Sequence, residues 1–90
     1  MSHLSHDNTK LIARLRRIKG QVEGVERALE AKTNCTEVLR QIASIRGAMA
    51  GLTNELLAEH LLSHVAEEGS QLKREAAANE MIQILKTYLK

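Results

Sequence analysis

The sequence has no phenylalanine, no tryptophan and no proline, a single tyrosine and a single cysteine. One cysteine excludes a disulfide scaffold and a zinc finger. With five glycines and no proline, turn punctuation is too sparse for a β-rich fold. No run of ~18 apolar residues is present, so no segment is expected to span a membrane. The opening residues Met1-Ser2-His3-Leu4-Ser5-His6-Asp7 lack the basic start and apolar run of a signal peptide. A soluble, all-helical protein of a reducing compartment is left, expected in the cytoplasm. Its 90 residues allow one domain, 1–90.

The missing aromatics carry a further consequence. Aromatic side chains bury the most apolar area per residue, and a chain this short buries a small share of its surface even with them. The core has to come from Leu, Ile, Val, Ala and Met. An oligomer is therefore expected, with contacts between chains supplying the missing burial.

Residues 1–6 are polar and aperiodic and read as a loose arm. Asp7 or Asn8 can cap a first helix. Leu11, Leu15, Ile18, Val22, Val25 and Leu29 then recur at alternating four- and three-residue spacing, one apolar stripe on a helix. The stripe ends near Ala31-Lys32-Thr33-Asn34, where Thr33 or Asn34 can cap the next helix. Val38, Ile42, Ile45, Met49, Leu52 and Leu56 form a second stripe, and no breaker intervenes before Glu67-Glu68-Gly69. Such a helix would have roughly 32 residues and be about 48 Å long, whereas a compact globule of this length has a radius of gyration of only ~12 Å. Pairing of two long second helices, antiparallel, is the natural remedy. Gly47 and Gly51, flanked by Ala43, suggest a seam where another backbone comes close. A third helix is expected from about Gln71 to Tyr88, with Ala78, Ile82, Leu85 and Leu89 inward.

Charge is unevenly spread. The formal net charge is +2, yet residues 1–20 carry Lys10, Arg14, Arg16, Arg17 and Lys19 against Asp7 alone, a local +4. Lys10, Arg14 and Arg17 share one helical face beside the apolar stripe, and Arg46 on the second helix could extend the patch. A solvated polar face is the bland alternative, but a surface tuned only for solubility mixes signs. The run points to an anion, with nucleic acid the first choice, and an oligomer would multiply the phosphate contacts. The first helix pair lacks a short helix-turn-helix spacing, so phosphate contacts and DNA shape would count as much as base edges.

The remaining chemistry lies in Cys35, His60 and His64, with His3 and His6 in the arm. His60 and His64 project from one side of the second helix. A straight helix would hold Cys35 roughly 37 Å from His60. In an antiparallel pair of second helices, Cys35 of one chain instead lies beside the His60-His64 end of the other, and two-fold symmetry gives two equivalent sites. A thiolate with imidazoles suits Ni(II), Co(II), Zn(II) or Cu(II). Removal of Met1 ahead of small Ser2 would free an α-amino group beside His3. Both could complete a sphere of five or six ligands, which fits Ni(II) and Co(II) better than structural zinc. The ordinary alternatives are a small buried cysteine and histidines without a role.

Three segments carry a resemblance. They are Arg14-Leu15-Arg16-Arg17-Ile18-Lys19-Gly20-Gln21-Val22, then Cys35-Thr36-Glu37-Val38-Leu39-Arg40-Gln41-Ile42-Ala43-Ser44-Ile45-Arg46-Gly47-Ala48, and His60-Leu61-Leu62-Ser63-His64. Over nearly its whole length the sequence resembles the CsoR/RcnR family of small all-helical bacterial repressors. The resemblance implies a three-helix protomer, an antiparallel dimer through the long second helix, and a tetramer built as a dimer of dimers. It also implies an apo form that binds double-stranded operator DNA and releases it on binding an inducer.

Members differ in inducer. The copper(I) branch has a second cysteine where this chain has His64, and often a tyrosine where it has Asn34; persulfide sensors need two cysteines. Formaldehyde sensors share the Cys35 position but carry proline where this chain has Ser2, and usually lack histidine at position 64. The nickel/cobalt branch resembles this chain at His3, Cys35, His60 and His64. The resemblance thus implies a repressor, not an enzyme, of a metal efflux gene, with Ni(II) or Co(II) as inducer and Zn(II) as a competitor. Its ligands would be Ser2 through the free amine, His3, Cys35, His60 and His64. Lys10, Arg14, Arg17 and Arg46 match basic residues that the family uses on DNA, and Arg16 and Lys19 extend that charge. Two other readings stand beside it: a formaldehyde- or electrophile-responsive repressor sensing through Cys35, and a helical metal buffer or adaptor without DNA binding.

Overall fold

The computed structural model describes residues 8–89. The expected arm, and with it Ser2, His3 and His6, lies outside them. Three helices account for most of the described chain: α1 (Thr9–Glu30), α2 (Cys35–His60) and α3 (Gln71–Tyr88), with a π-helical segment, Leu61–Ala66, directly after α2. The described residues hold no strand, and no helix among them is long and apolar enough to cross a membrane. The chain divides into two compact units, one from 8 to 55 and one from 56 to 89.

The first unit is a hairpin of α1 against α2. α1 starts at Asn8, whose carbonyl accepts from the Ile12 amide at 2.8 Å, without a side-chain cap. It ends in a Schellman turn. The Thr33 amide donates to Ala28 O (2.9 Å) and the Lys32 amide to Leu29 O (3.1 Å). Lys32 takes the left-handed conformation, φ 57°, where glycine is the usual occupant. α2 then opens on Asn34, whose Oδ1 accepts from the Glu37 amide at 2.9 Å. That is the side-chain cap expected of Thr33 or Asn34, and it falls to Asn34.

Within this hairpin the two stripes divide. On α1, Ile18 is buried, with Leu11 and Val25 half-buried; Leu15, Val22 and Leu29 remain 50–61% exposed. On α2, Val38 and Leu52 are buried and Ile45 half-buried, while Ile42 and Met49 stay 41–42% exposed. Each stripe is thus two rows of seven-residue period, roughly 50° apart around a helix of 3.6 residues per turn. One row faces the other helix of the hairpin, and the second row is uncovered.

Among the described residues of one protomer, no other backbone occupies the expected small-residue seam. A Cβ at Gly47 would meet open space, and one at Gly51 would meet the Arg14 guanidinium rather than another backbone. Gln21 Nε2 donates to Ser44 Oγ at 3.4 Å, a polar rung between the helices.

In the second unit the helical path continues past His60 to Ala66, as the lack of a breaker predicts, but it widens. The Glu67 amide donates to Leu62 O, five residues back, at 2.9 Å, the bond of a π-helix. The turn is held by Glu68: its Oε2 accepts from the Ser70 amide (3.1 Å) and its carbonyl from Arg74 Nη1 (2.9 Å). Ser70 caps α3 by accepting from the Lys73 amide at 3.3 Å. α3 packs on the π-helical segment. Its inward face is Ala77 and Met81, flanked by half-buried Arg74 and Ala78. The expected face of Ala78, Ile82, Leu85 and Leu89 is therefore rotated by about one residue, and Ile82, Leu85 and Leu89 are 41–46% exposed. The Arg74 bond to the turn fixes that rotation, and apolar periodicity cannot register it.

Two stability outcomes follow. Lys32→Gly is expected to raise stability by about 0.5–1 kcal/mol, because a left-handed L-residue costs roughly 1–2 kcal/mol and part of the relief is lost to unfolded-chain entropy. Urea melts of the two proteins measure it. Met81→Ala should cost about 2–4 kcal/mol and Ile82→Ala clearly less. The reverse order in the same melts would restore the face read from the sequence.

Candidate nucleic-acid face and histidine pair

α1 carries the basic run on its outer surface. Lys10, Arg16, Arg17 and Lys19 are exposed, as is Arg46 on α2. Arg14 differs. It is half-buried, and its Nη1 donates to Glu55 Oε1 on α2 at 2.8 Å. The sequence showed no acidic partner near Arg14, because Glu55 is 41 residues away and meets it only through the hairpin. Arg14 is thus placed on the hairpin edge above Gly51, while its neighbours on the same face, Lys10 and Arg17, are open to solvent. Among the described residues these exposed cations have no acidic partner, and surface charge of one sign is the electrostatic footprint of a nucleic-acid surface.

The metal-type ligands fall into separate places. Cys35 is the first residue of α2, with an exposed free thiol. His60 ends α2 and His64 lies in the π-helical segment. Their rings stand 4.7 Å apart between centroids, tilted by 42°, so the structure brings these two together as the four-residue spacing predicts. The Nε2 atoms of both are shielded from solvent, and that of His60 has no hydrogen-bond partner among the described residues. A shielded imidazole nitrogen without a partner is unusual in a folded chain, where buried polar atoms are nearly always bonded. It is placed to meet an ion or a hydrogen-bonding group from outside this protomer. Among the described residues no group of three or more His, Cys, Asp or Glu side chains is disposed to hold a metal ion. The described part of one chain supplies a pair of ligands, not a full set.

Glu55 and Gly51 are the residues that sequence reasoning missed. The only trace of them was the Gly47-Gly51 spacing, read there as a backbone contact.

Comparison with known proteins identifies the family. Residues 7–87 match the family model described as metal-sensitive transcriptional repressor. The transcriptional repressor RcnR of Escherichia coli strain K12 is 41% identical over 90 residues, all of both chains. A Serratia marcescens protein described only by its position in the bioA 5′ region is 44% identical over 91 residues, again spanning both chains. Among solved structures, a glutamate-to-histidine variant of the formaldehyde-responsive regulator FrmR from Salmonella enterica serovar Typhimurium superposes with a TM-score of 0.85 at 40% identity. The match covers 97% of this chain and 99% of that one. With all but a few terminal residues inside the family model and full-length relatives above 40% identity, this chain belongs to the metal-sensitive transcriptional repressors, the CsoR/RcnR family, whose members are not enzymes.

Proposed function

We propose that this repressor holds operator DNA in its metal-free form, releases it on binding Ni(II) or Co(II), and so controls a metal efflux gene. The observation that carries the reading is the His60-His64 pair, with the His60 Nε2 shielded and without a partner among the described residues. The relatives named RcnR support the same branch. The ligand set would be His60 and His64 of one protomer, Cys35 of another, and His3 with the free amine of Ser2 from the arm. Zn(II) would compete for it. Nitrogen-rich sets with one thiolate suit Ni(II) and Co(II); bound there, the ion would tie together parts of the chain that are far apart in sequence.

The residues of the chain do the rest. Lys10, Arg14, Arg16, Arg17, Lys19 and Arg46 would contact phosphates and position the duplex. The uncovered rows of Leu15, Val22 and Leu29 and of Ile42 and Met49 offer apolar surface for a dimer through α2 and for its pairing into a tetramer. Oligomerisation repeats the basic face and brings Cys35 within reach of a second protomer's histidines. By linkage, DNA lowers metal affinity by the factor through which metal lowers DNA affinity.

A second reading rests on the exposed Cys35 thiol and on the likeness to the formaldehyde-responsive regulator. There the thiol itself would be the sensor.

A fluorescent duplex, enriched from a random library by the metal-free protein, separates the two readings. Ni(II) or Co(II) is expected to weaken binding about 5–150-fold, and His64→Leu to remove most of that response. Release by formaldehyde without any metal response, with a covalent adduct on Cys35 by mass spectrometry, would replace the first reading by the second. Joint substitution of Lys10 and Arg17 by alanine should flatten the dependence of affinity on salt by up to ~0.9 per lost phosphate contact in each protomer on the DNA. An unchanged salt slope would remove α1 from the interface.

A further inference from the structure

Arg14 stands at the centre of the basic face, between Lys10 and Arg17 at spacings of four and three residues, yet it is the one cation of the three that is half-buried. Its Nη1 donates to Glu55 Oε1 at 2.8 Å. Its Nη2 lies over Gly51, where any Cβ would collide with it. Glycine lowers helix propensity relative to alanine, and at Gly47, one turn earlier, a Cβ would meet nothing. The space left at position 51 is used by the end of the flexible Arg14 side chain, which a methyl group there would make shift. The ion pair of Glu37 with Arg40, at 3.0 Å, is a local contact within one helix. The Arg14-Glu55 pair instead joins α1 to α2.

We propose that Gly51 and Glu55 form a latch for Arg14, in which the Glu55 carboxylate competes with DNA phosphate for the guanidinium and so sets how tightly the repressor holds DNA. This rests on the reading of Arg14 as a DNA contact. Two features fit competition rather than support. The guanidinium lies against α2 at Gly51 and Glu55, and a carboxylate at that point repels an approaching phosphate. The pair is also of a strength that phosphate can displace. Arg14 and Glu55 side chains are 34% and 46% exposed, and ion pairs with that much solvent are weak and sensitive to salt. A fully buried pair would hold Arg14 permanently.

The test uses the full-length metal-free protein and the selected duplex, with affinity measured by fluorescence anisotropy across a salt series. Glu55→Gln should bind about two- to fivefold tighter for each protomer on the DNA, with a steeper salt slope. Gly51→Ala should tighten binding as well, although it changes no charge, because the methyl group displaces the guanidinium from the latch. It also favours the helix, so a folding defect is not expected. Both gains should vanish in an Arg14→Ala background, and Glu30→Gln at the far end of α1 should show none. Equal or weaker binding by Glu55→Gln would overturn the latch and make Glu55 a support that orients Arg14. A gain that persists without Arg14 would overturn it in favour of a general field effect. Should Arg14→Ala alone leave affinity and salt slope unchanged, the DNA contact itself would be wrong, which is a separate failure.

Discussion

A hairpin of two helices covers one face of each and leaves the other face open. α1 and α2 each carry an apolar stripe wide enough for two rows, and the hairpin covers Leu11-Ile18-Val25 against Val38-Ile45-Leu52. The uncovered rows are as apolar as the covered ones. With no phenylalanine or tryptophan in the chain, the covered rows cannot compensate by bulk. No side chain among the described residues is both large and fully buried. Exposed apolar rows of this regularity mark contact surfaces, and the family is one of oligomeric repressors. The protomer's stability and its assembly therefore draw on the same stripes.

Much of this could be read from the residues. The alternating spacing from Leu11 to Leu29 and from Val38 to Leu56 placed two helices and their turn, and the Asn34 cap was among the two offered. The four-residue spacing of His60 and His64 gave a pair that does meet. Periodicity failed where a polar contact set the rotation of a helix. On α3 the stronger apolar row, Ile82-Leu85-Leu89, is exposed, because Arg74 is tied to the Glu68 carbonyl and turns Ala77 and Met81 inward. At Gly51 periodicity did not register the Arg14 side chain. A pair of glycines four apart signals that something comes close, but not whether it is backbone or side chain. The partner of Arg14 was out of reach for the same reason: Glu55 is local in space and remote in sequence. The widened turn at Leu61–Ala66 has no sequence signature, since its residues suit an α-helix equally well. Ser2 and His3 lie outside the described residues, and the ligand role proposed for them comes from the sequence.

The histidine pair and the basic face follow different physical rules, and that separation suits a sensor. Phosphate binding by exposed lysines and arginines is additive, long-ranged and screened by salt. Holding an ion needs several donors at short range, and the described part of one protomer offers two. The first property gives affinity to a single chain in proportion to its charge. The second has to be assembled, so it reports on the arrangement of chains and arms. An inducer that acts through an assembled site can bias the arrangement of the basic faces without touching them.

Such a bias is limited in size. Coupling between two sites is commonly ~1–3 kcal/mol, and a ligand shifts an equilibrium only by its differential affinity for the two states. A repressor that held DNA far more tightly than its working concentration requires would stay bound even with inducer at saturation. Five cations within ten residues of α1, repeated by oligomerisation, push toward that excess. In the proposed latch, an acidic residue drawn against the central arginine would pull the other way and keep DNA affinity within the span that an inducer can cross. In that latch, glycine at position 51 would leave room for the guanidinium at its own cost in helix stability.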